Sequence, residues 1–556
     1  MRRAVLATVF LTAVLSGQPR PLGPPYAIGP QSITFFSDVD DTDQPYGLYL
    51  PRSFNESGKY PLIISLHEDG ANHRLNLRRV FGRGNRLRET DSQAANGPFP
   101  PFPSVDYIVA APLARGTMGY QGIAEKDVYD VLADVRKRFP IDADRIYLTG
   151  ISMGGGGALR LALTRPDVWA AVAVVCPAEV PEAREFASNA SNLPVRVFQG
   201  ALDPVVPAAM VRGWSADLRQ LGARVEYREY PMVKHNSWDH AYQGGTVFNW
   251  FAGFKRERFP ARVRFTTRSY QYRTAYWLEL DGLTPGHLAS IDAKFTAINE
   301  IEVQTAGLDG FTLHPAGHLM YEPGLAASVK VDGSPLKVAP RAALSFSKTQ
   351  QGWRAAAYVR LANSKGPGQE GPIAEAVSRR HLYVYGTADS ADEDELARRR
   401  AQAEFAANWA NPRQPMLLSL HTVRDREVSE ASRHNSNLVL FGTKETNSEI
   451  ARLASSLPIE LNPGAADYGL VFIAPAGDRY VLVNSGLPFW TGAQAAKRAV
   501  SPFTPPIYET LLSFGDFILF KGSLGNVVAE GRFERNWKVP AEQAAKMAST
   551  GAVRLR

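Results

Sequence analysis

The stretch Leu148-Thr149-Gly150-Ile151-Ser152-Met153-Gly154-Gly155-Gly156-Gly157 decides how the first half of this chain folds. The largely apolar residues at 145–148 are typical of the end of a buried strand, and residues 158–163 continue as a helix. Between them lies the pattern Gly-x-Ser-x-Gly, in which small residues let the strand and the helix press together around an exposed serine. The stretch therefore predicts a nucleophilic Ser152 on a strained turn, against the alternative of an ordinary glycine turn.

A serine hydroxyl needs a base to become a nucleophile, and the base needs an acid to orient it. On folds with this turn, the acid follows the serine along the chain and the histidine follows the acid. Asp203 lies in a turn bounded by glycine and proline after the apolar strand 194–198, and His235 follows the alternating strand 225–230. Both residues are therefore expected at the sheet edge that carries Ser152, and the three predict a catalytic triad.

Alternative roles remain open for these residues. Asp203 could be a turn residue that binds its own backbone. His235 competes with His240, which we expect at the surface, and with His67 and His73 earlier in the chain. Since His67 ends an early strand, we expect it to support the loop that follows.

An oxyanion hole usually combines two backbone N–H groups, one from the residue after the nucleophile and one from the loop after an early strand. Met153 would supply the first, and Glu68 or Asp69, after the strand 62–66, would supply the second. Many hydrolases have glycine where this chain has Glu68. If the backbone there requires a positive φ, glutamate is strained, and a carboxylate that points inward would repel the oxyanion.

Residues 32–251 resemble a secreted bacterial α/β-hydrolase of the prolyl-oligopeptidase/carboxylesterase superfamily, similar to polyhydroxybutyrate depolymerases and feruloyl esterases. The resemblance implies that Ser152 is the nucleophile, Asp203 the acid and His235 the base of an enzyme that cleaves small or polymeric carboxylic esters through an acyl-enzyme. It implies no metal or organic cofactor. The segments that carry it are Gln44-Pro45-Tyr46-Gly47-Leu48-Tyr49-Leu50-Pro51, His67-Glu68-Asp69-Gly70, Asp127-Val128-Tyr129-Asp130-Val131-Leu132, Gly150 to Gly154, Gly200 to Pro207, and His235-Asn236-Ser237-Trp238.

Two other functions stay open at this point. A serine peptidase of the same superfamily would use the same triad on a peptide, but no β-propeller precedes the hydrolase region, which favours esters. A catalytically silent binding protein could keep the fold as a scaffold; the complete triad speaks against it and Glu68 speaks for it. Residues 72–79 and 112–117 are either cleft loops or basic surface loops, and Trp238 is expected to pack around the histidine loop.

Composition fits an ordinary globular protein of several domains, with 556 residues, 45% hydrophobic and 21% charged residues. The net charge of +7 is spread along the chain, so nucleic-acid binding is not expected. Cys176 is the only cysteine, which excludes an intramolecular disulfide, and it is expected to be a small buried side chain. There is no His-Glu-x-x-His or P-loop pattern to indicate a metal or nucleotide.

The amino terminus has the features of a secretory signal peptide. Met1-Arg2-Arg3 is followed by a short apolar run and then by small residues. We expect a signal peptide over residues 1–17, a proline-rich linker over 18–30, and a secreted or periplasmic protein. The apolar run is too short for a comfortable membrane span, so stable membrane insertion is not expected.

The chain changes character after the hydrolase region, which we place at residues 31–258. Short alternating strands predict a small β-sandwich-like module over 259–345, followed by a linker and exposed loops over 346–380. Residues 381–556 predict a second α/β domain of unknown role with a largely parallel sheet, including a buried strand at 416–420. Gly386 and Gly442 follow strands there, where glycine either binds a ligand or simply packs.

Overall fold

The computed structural model of this protein describes residues 26–389, 391–410, 416–496 and 504–556. The predicted signal peptide over 1–17 and most of the predicted linker over 18–30 lie outside these residues. Within the described ranges, no helix is both long enough and apolar enough to cross a membrane.

The first domain is built on an eight-stranded sheet in the order β1-β2-β4-β3-β5-β6-β7-β8. Strands β3 to β8 run parallel to their neighbours, and β1 and β2 add an antiparallel edge. The strands are β1 (Gly29–Ser37), β2 (Thr42–Leu50), β3 (Tyr60–Leu66), β4 (Ile108–Pro112), β5 (Ile141–Ile151), β6 (Ala171–Val175), β7 (Pro194–Gly200) and β8 (Arg224–Tyr230).

Helices cover both faces of this sheet, which is why its central strands are apolar on both sides. In β3, Leu62 and Ile64 belong to the buried cluster on one face, together with the helices at 123–138, 153–164 and 208–220. Ile63 belongs to the cluster on the other face, with the helices at 73–80 and 246–251. The helices of this domain are α1 (His73–Val80), α2 (Asp91–Asn96), α3 (Ile123–Arg138), α4 (Met153–Thr164), α5 (Ala208–Gln220), α6 (Trp238–Ala241) and α7 (Thr246–Phe251).

The second domain is a β-sandwich with its own core around the buried Trp277, as the alternating strands predicted. Its two five-stranded sheets have the orders β10-β11-β14-β17-β18 and β16-β15-β13-β12-β9. The module continues to Arg354, past the predicted end at 345, because the last two strands complete the first of these sheets. The strands are β9 (Arg262–Thr267), β10 (Thr274–Ala275), β11 (Leu278–Leu283), β12 (Ala289–Ala297), β13 (Glu300–Ala306), β14 (Leu308–Leu313), β15 (Ala327–Val331), β16 (Ser334–Val338), β17 (Leu344–Thr349) and β18 (Gly352–Arg354).

The third domain is an α/β unit whose seven-stranded sheet has the order β20-β19-β21-β24-β23-β25-β26. The strands of this sheet are β19 (His381–Tyr385), β20 (His421–Arg424), β21 (Asn437–Phe441), β23 (Tyr468–Ala476), β24 (Arg479–Gly486), β25 (Phe517–Lys521) and β26 (Val527–Gly531). Two further strands, β22 (Ile459–Leu461) and β27 (Val553–Leu555), pair in a separate two-stranded sheet. The helices of this domain are α8 (Glu393–Ala407), α9 (Glu430–Asn435), α10 (Ser448–Leu453), α11 (Pro506–Leu512) and α12 (Ala541–Ala548).

The prediction of a largely parallel sheet in this domain is wrong. Strands β20, β19, β21 and β24 pair in parallel, but β23, β25 and β26 pair antiparallel. The reason is local: β23 and β24 are joined by a short turn, and a short turn between paired strands requires antiparallel pairing.

The predicted strand at 416–420 is also wrong, since the strand here is His421–Arg424. The backbone of the preceding residues bonds to the first domain instead. The carbonyl of Leu417 accepts hydrogen bonds from Gln44 and Arg115, and the N–H of Ser419 donates to Asp40 over 2.9 Å. The backbone of this segment is therefore bonded across the contact between the first and third domains and is not available for a strand of the sheet.

The predicted exposed linker, which includes residues 364–372, is largely a buried connection. Lys365 is buried and pairs with Asp516 of the third domain. The carboxylate of Glu370 accepts the backbone N–H groups of Tyr270 and Gln271 over 2.7 and 2.9 Å. The glycines and prolines that indicated a linker or exposed loop instead lie in a connection that bonds to both the second and the third domain.

Candidate active site

Ser152 lies at the turn between β5 and α4, with φ 51° and ψ −113°. Residues other than glycine rarely adopt this backbone conformation. A Cβ atom on Gly150 would lie 2.1 Å from the carbonyl oxygen of Gly154, and one on Gly154 would lie 2.4 Å from that of Leu66. The glycines are therefore required by close backbone packing, and the turn presents the serine hydroxyl to the cleft.

Asp203 follows β7 and is held by four donors. Its Oδ1 accepts the backbone N–H groups of Val205 and Val206 over 2.8 and 2.9 Å. Its Oδ2 accepts from Gln199 Nε2 over 3.0 Å and lies 2.8 Å from His235 Nδ1. The carboxylate is thus fixed in one orientation toward the histidine. The bonds to Val205 and Val206 are those of a turn residue, but that role does not account for the contacts with Gln199 and His235.

His235 follows β8 and joins the other two residues. Because a carboxylate only accepts hydrogen bonds, the 2.8 Å contact with Asp203 places the ring proton on Nδ1. The opposite nitrogen, Nε2, lies 3.0 Å from Ser152 Oγ and can accept its proton. The structure thus brings together the three residues that the sequence predicted as a triad.

The other histidines lie away from this arrangement. His240 is exposed and packs against the ring of Tyr230, with ring centroids 5.2 Å apart. His67 is fully buried: its ring nitrogens lie 2.8 and 2.9 Å from the carbonyl oxygens of Glu68 and Leu113, and burial lowers its pKa to about 4. His67 therefore occupies the supporting position, beneath the loop after β3, that the sequence suggested.

The predicted oxyanion residues line the same cleft as Ser152. Met153 is the first residue of α4, and backbone N–H groups in the first turn of a helix have no acceptor within the helix. Positive φ values in this loop occur at Gly70 and not at Glu68, so the suspected strain at Glu68 is absent. The carboxylate of Glu68 forms an ion pair with Arg79 of α1.

The cleft has a volume of about 780 Å³. Val205, Val206, Pro207 and Met210, which follow Asp203 in the chain, give the cleft an apolar wall. Trp238 also lines the cleft, with its ring edge-to-face with His235 at a centroid distance of 5.7 Å. Trp238 is thus a wall of the cleft as well as a packing residue. The lining residues are Glu68, Asp69, Arg79, Asp91, Gly119, Gln121, Ser152, Met153, Gly156, Gly157, Arg160, Ala178, Glu179, Val180, Pro181, Glu182, Val205, Val206, Pro207, Met210, His235 and Trp238.

Cys176 lies close to Asp203 and His235. It is buried, and this burial raises the pKa of its thiol to about 12, so the thiol stays protonated near neutral pH. Ligand atoms of Cys176, Asp203 and His235 lie within 4.8 Å of one another, as in a metal site. Asp203 and His235 already contact each other through those atoms, so we assign the cluster to the triad.

Sequence reasoning missed several residues that support the site. Gln199 donates to Asp203, and Arg79 pairs with Glu68, as described above. Tyr120 donates from its hydroxyl to the carbonyl of His67 over 3.0 Å. The run of glycines after Ser152 gave one usable indication, because a Cβ on Gly157 would lie 2.6 Å from the Tyr120 ring. The identity of the ring that fills this space cannot be deduced from sequence.

Of the two segments predicted as cleft or surface loops, 72–79 reaches the cleft, whereas Arg115 of 112–117 is buried away from it. Residues 73–80 form α1, where Arg79 reaches the cleft and Arg74 is held by the carbonyls of Ala95 and Gly97. Arg115 is fully buried between Asp40 and Asp127 and does not reach the cleft.

Two glycines of the third domain pack against one turn. A Cβ on Gly386 would lie 2.1 Å from the carbonyl oxygen of Thr446, and one on Gly442 would lie 2.4 Å from Thr446 Oγ1. Packing alone explains them, and they give no support to a ligand site.

Residues 124–244 match the sequence model of the phospholipase/carboxylesterase family. Feruloyl esterase D of Neurospora crassa is 25% identical to this chain over 190 residues, which are 33% of this chain and 60% of that relative. The chain thus matches about three fifths of the length of this curated relative.

Similar solved structures include a thermostable esterase, 24% identical, over 41% of this chain and 63% of that chain, with a TM-score of 0.33. They also include a ferulic acid esterase from Anaeromyces mucronatus in complex with ferulic acid, 18% identical, over 39% of this chain and 88% of that chain, with a TM-score of 0.31.

Proposed function

Since its first domain is an α/β-hydrolase domain similar to carboxylesterases, we propose that this protein is a serine hydrolase that cleaves carboxylic esters through an acyl-enzyme. The observation that carries the proposal is the continuous hydrogen-bonded series from Asp203 through His235 to Ser152, at 2.8 and 3.0 Å. A base oriented by an acid and within reach of a serine is the arrangement that activates the hydroxyl.

In the first step, Ser152 Oγ bonds to the ester carbonyl carbon while its proton moves to His235 Nε2. Asp203 keeps the imidazole in the required tautomer and stabilises the imidazolium. The negative charge on the former carbonyl oxygen is held by the backbone N–H of Met153 and by that of Glu68 or Asp69. As the tetrahedral intermediate collapses, the carbon–oxygen bond to the alcohol breaks and His235 returns the proton to the leaving oxygen.

In the second step, a water molecule gives a proton to His235 and attacks the acyl carbon. The bond to Ser152 then breaks, the carboxylic acid leaves, and the serine recovers its proton from the histidine. Donors fixed before the reaction stabilise the oxyanion at little reorganisation cost, which is the main physical advantage of such a site.

The cleft suits acyl groups without negative charge. Its lining contains five carboxylates but only two arginines, and Arg160 is already paired with Glu182. An anionic acyl group would be repelled, whereas an uncharged aromatic or aliphatic one can lie against Val206, Pro207 and Met210. We therefore favour neutral esters, small or linked to a polymer; hydroxycinnamate esters are the specific candidate suggested by the feruloyl esterase relative.

The peptidase alternative has no support from the family model or the curated relative, which are both described as esterases. An unpaired Glu68 carboxylate had favoured the alternative of a silent binding protein. Because Glu68 forms an ion pair with Arg79, this argument for the alternative is weakened.

We also propose that the protein is exported, on the strength of the basic start and short apolar run at residues 1–17. Expression of the full chain in a bacterial host, followed by separation of periplasm and cytoplasm, tests this. A processed product in the periplasm or medium is expected, and an unprocessed cytoplasmic product would contradict it.

The experiment for the activity is a parallel assay of the full chain with a fluorophosphonate, p-nitrophenyl butyrate, methyl ferulate and an aminoacyl-anilide. We expect labelling and turnover of the esters, with little turnover of the anilide. Turnover of the anilide alone would favour a peptidase, and the absence of both labelling and turnover would favour a silent scaffold.

A further inference from the structure

Glu68 places a negative charge in the loop that we propose to hold the oxyanion. The residue is buried and lines the cleft together with Ser152 and Met153. The loop is pressed against α4, because a Cβ on Gly154 would lie within 2.6 Å of the carbonyl oxygens of Leu66 and His67. Charges interact strongly in such a poorly hydrated site, so an uncompensated carboxylate here would oppose formation of the oxyanion.

Arg79 of α1 supplies the compensating charge. Its guanidinium pairs with Glu68 and also with Asp91, the latter over 2.9 Å. The Arg79 side chain is only 6% exposed, so most of its charge is shielded from bulk water. A buried arginine remains protonated, and removing it would leave a buried carboxylate without its partner.

The same guanidinium also reaches the histidine loop. Its central carbon lies 4.9 Å from the centre of the Trp238 ring, within the range of a cation–π contact. Trp238 in turn packs edge-to-face on His235, with ring planes 89° apart. One side chain therefore contacts both the loop that carries the predicted oxyanion donors and the tryptophan that packs against the base.

We propose that Arg79 is a positioning residue for this active site: it neutralises Glu68 and, through Trp238, holds the histidine loop in register with the oxyanion loop. This inference rests on the proposed function. The role of Arg79 also explains how a chain with glutamate at position 68, where many hydrolases have glycine, can keep a working oxyanion hole. The glutamate and the arginine act as a pair, in which the arginine offsets a charge that would otherwise oppose the reaction.

The test is a double-mutant cycle in the full chain with Arg79→Met, Glu68→Gln and the double variant. Steady-state kinetics with p-nitrophenyl butyrate give kcat and KM for each protein. Arg79→Met should lower kcat about 100-fold, comparable to loss of one oxyanion donor, with a much smaller change in KM. Adding Glu68→Gln to Arg79→Met should restore kcat by about tenfold, because the uncompensated charge is gone.

A matched control is Arg74→Met, on the same helix. Arg74 donates to the carbonyls of Ala95 and Gly97 and stacks over Phe99, but its side chain does not line the cleft. This variant loses an arginine and its packing, as Arg79→Met does. Because Arg74 does not line the cleft, the kcat of Arg74→Met should stay within about twofold of wild type. Circular dichroism and Tm are measured for all variants. If Arg79→Met does not fold, Arg79→Gln, which also removes the charge but keeps a polar side chain, gives the same comparison with and without Glu68→Gln.

Two outcomes would overturn the inference while leaving the proposed function intact. In one, the wild type hydrolyses the ester and folded Arg79→Met keeps its kcat. In the other, the double variant is as slow as Arg79→Met, which would mean that Arg79 serves packing alone. A wild-type protein that neither reacts with a fluorophosphonate nor hydrolyses any ester would instead refute the proposed function itself.

Discussion

Arg115 of the first domain donates a hydrogen bond over 3.1 Å to the backbone carbonyl of Leu417 in the third domain. The same guanidinium is fully buried and pairs with Asp40 and Asp127, each over 2.7 Å. The hydrogen bonds of this buried guanidinium in the first domain thus include one to a segment 302 residues further along the chain. The third domain is consequently part of the support of the first.

The loop that carries Arg115 also forms part of the cleft wall. Gly119 and Gln121 line the cleft, and Gly122 packs against Tyr508 of the third domain so closely that a Cβ there would lie 2.0 Å from the tyrosine oxygen. Within this loop a positive φ occurs at Ala114, Arg115, Gly116, Gly119, Tyr120 and Gly122. Such a strained backbone persists only where its surroundings hold it, and here the third domain is among them.

Replacement of Arg115 by methionine should therefore destabilise the protein strongly. It leaves the buried carboxylates of Asp40 and Asp127 without their cation, at a cost of about 3–5 kcal/mol. Urea unfolding measures the loss, with Arg136→Met on the exposed side of α3 as a control that should change stability by about 0.5 kcal/mol or less. Equal stability of the two variants would show that the Arg115 network contributes little.

Only one of the two neighbouring histidines should matter for turnover. His235→Ala removes the group that contacts both Ser152 and Asp203, so kcat should fall about 10⁶-fold, as for loss of a triad base. His240→Ala removes an exposed ring that packs on Tyr230, so its kcat should be nearly unchanged. An inactive His240→Ala protein beside an active His235→Ala protein would mean that the base is assigned to the wrong residue.

The turn at Ser152 should not tolerate even one added methyl group. In Gly150→Ala the new Cβ would lie 2.1 Å from a backbone oxygen, so the turn must shift, at a cost of about 3 kcal/mol and with loss of activity. Gly213→Ala is the matched control, because Gly213 lies within α5 and a methyl group added there would have nothing within 4 Å. Alanine at this helical position should stabilise the protein by about 0.5–1 kcal/mol. Similar Tm values for the two variants would contradict the packing described for the turn.

The proximity of Ser152, Asp203 and His235 could be predicted from sequence because its constraints are local. Glycines around a serine, an aspartate after one strand and a histidine after the next are each short-range features, and the parallel sheet brings their ends together. The partners of these residues could not be predicted. Tyr120 reaches His67 only through packing of distant segments. Gln199 and Arg79 are nearer in sequence to Asp203 and Glu68, but many polar side chains at strand and helix ends look equally suitable.

The errors in the carboxyl half have a common cause. Composition alone predicted a strand over residues 416–420 and an exposed linker over residues 364–372. Both segments instead contact other domains: the carbonyl of Leu417 bonds to Arg115, and Lys365 pairs with Asp516. Composition indicates whether a segment is apolar or rich in glycine and proline, but it does not indicate which surface the segment meets.

Acidification should destabilise the third domain through His381. Burial lowers the pKa of this histidine from 6.5 to about 4, so between these values the unfolded chain binds a proton that the folded chain does not. A depressed histidine pKa therefore makes stability fall as pH falls through this window, by about 3 kcal/mol in total. His381→Gln should flatten the pH dependence of urea unfolding across this window, relative to the exposed-site control His287→Gln. An unchanged slope would show that His381 is protonated in the folded state.

The central claim is that Ser152 is the nucleophile of an ester hydrolase. The most direct measurement is fluorophosphonate labelling of the full chain, followed by peptide mass spectrometry to locate the adduct and by an assay of the Ser152→Ala variant with p-nitrophenyl butyrate. We predict a single adduct on the peptide that contains Ser152, and a folded Ser152→Ala protein that neither labels nor turns over the ester, with a loss of about 10⁶-fold in rate. An adduct on another serine, or ester turnover retained by Ser152→Ala, would contradict the account.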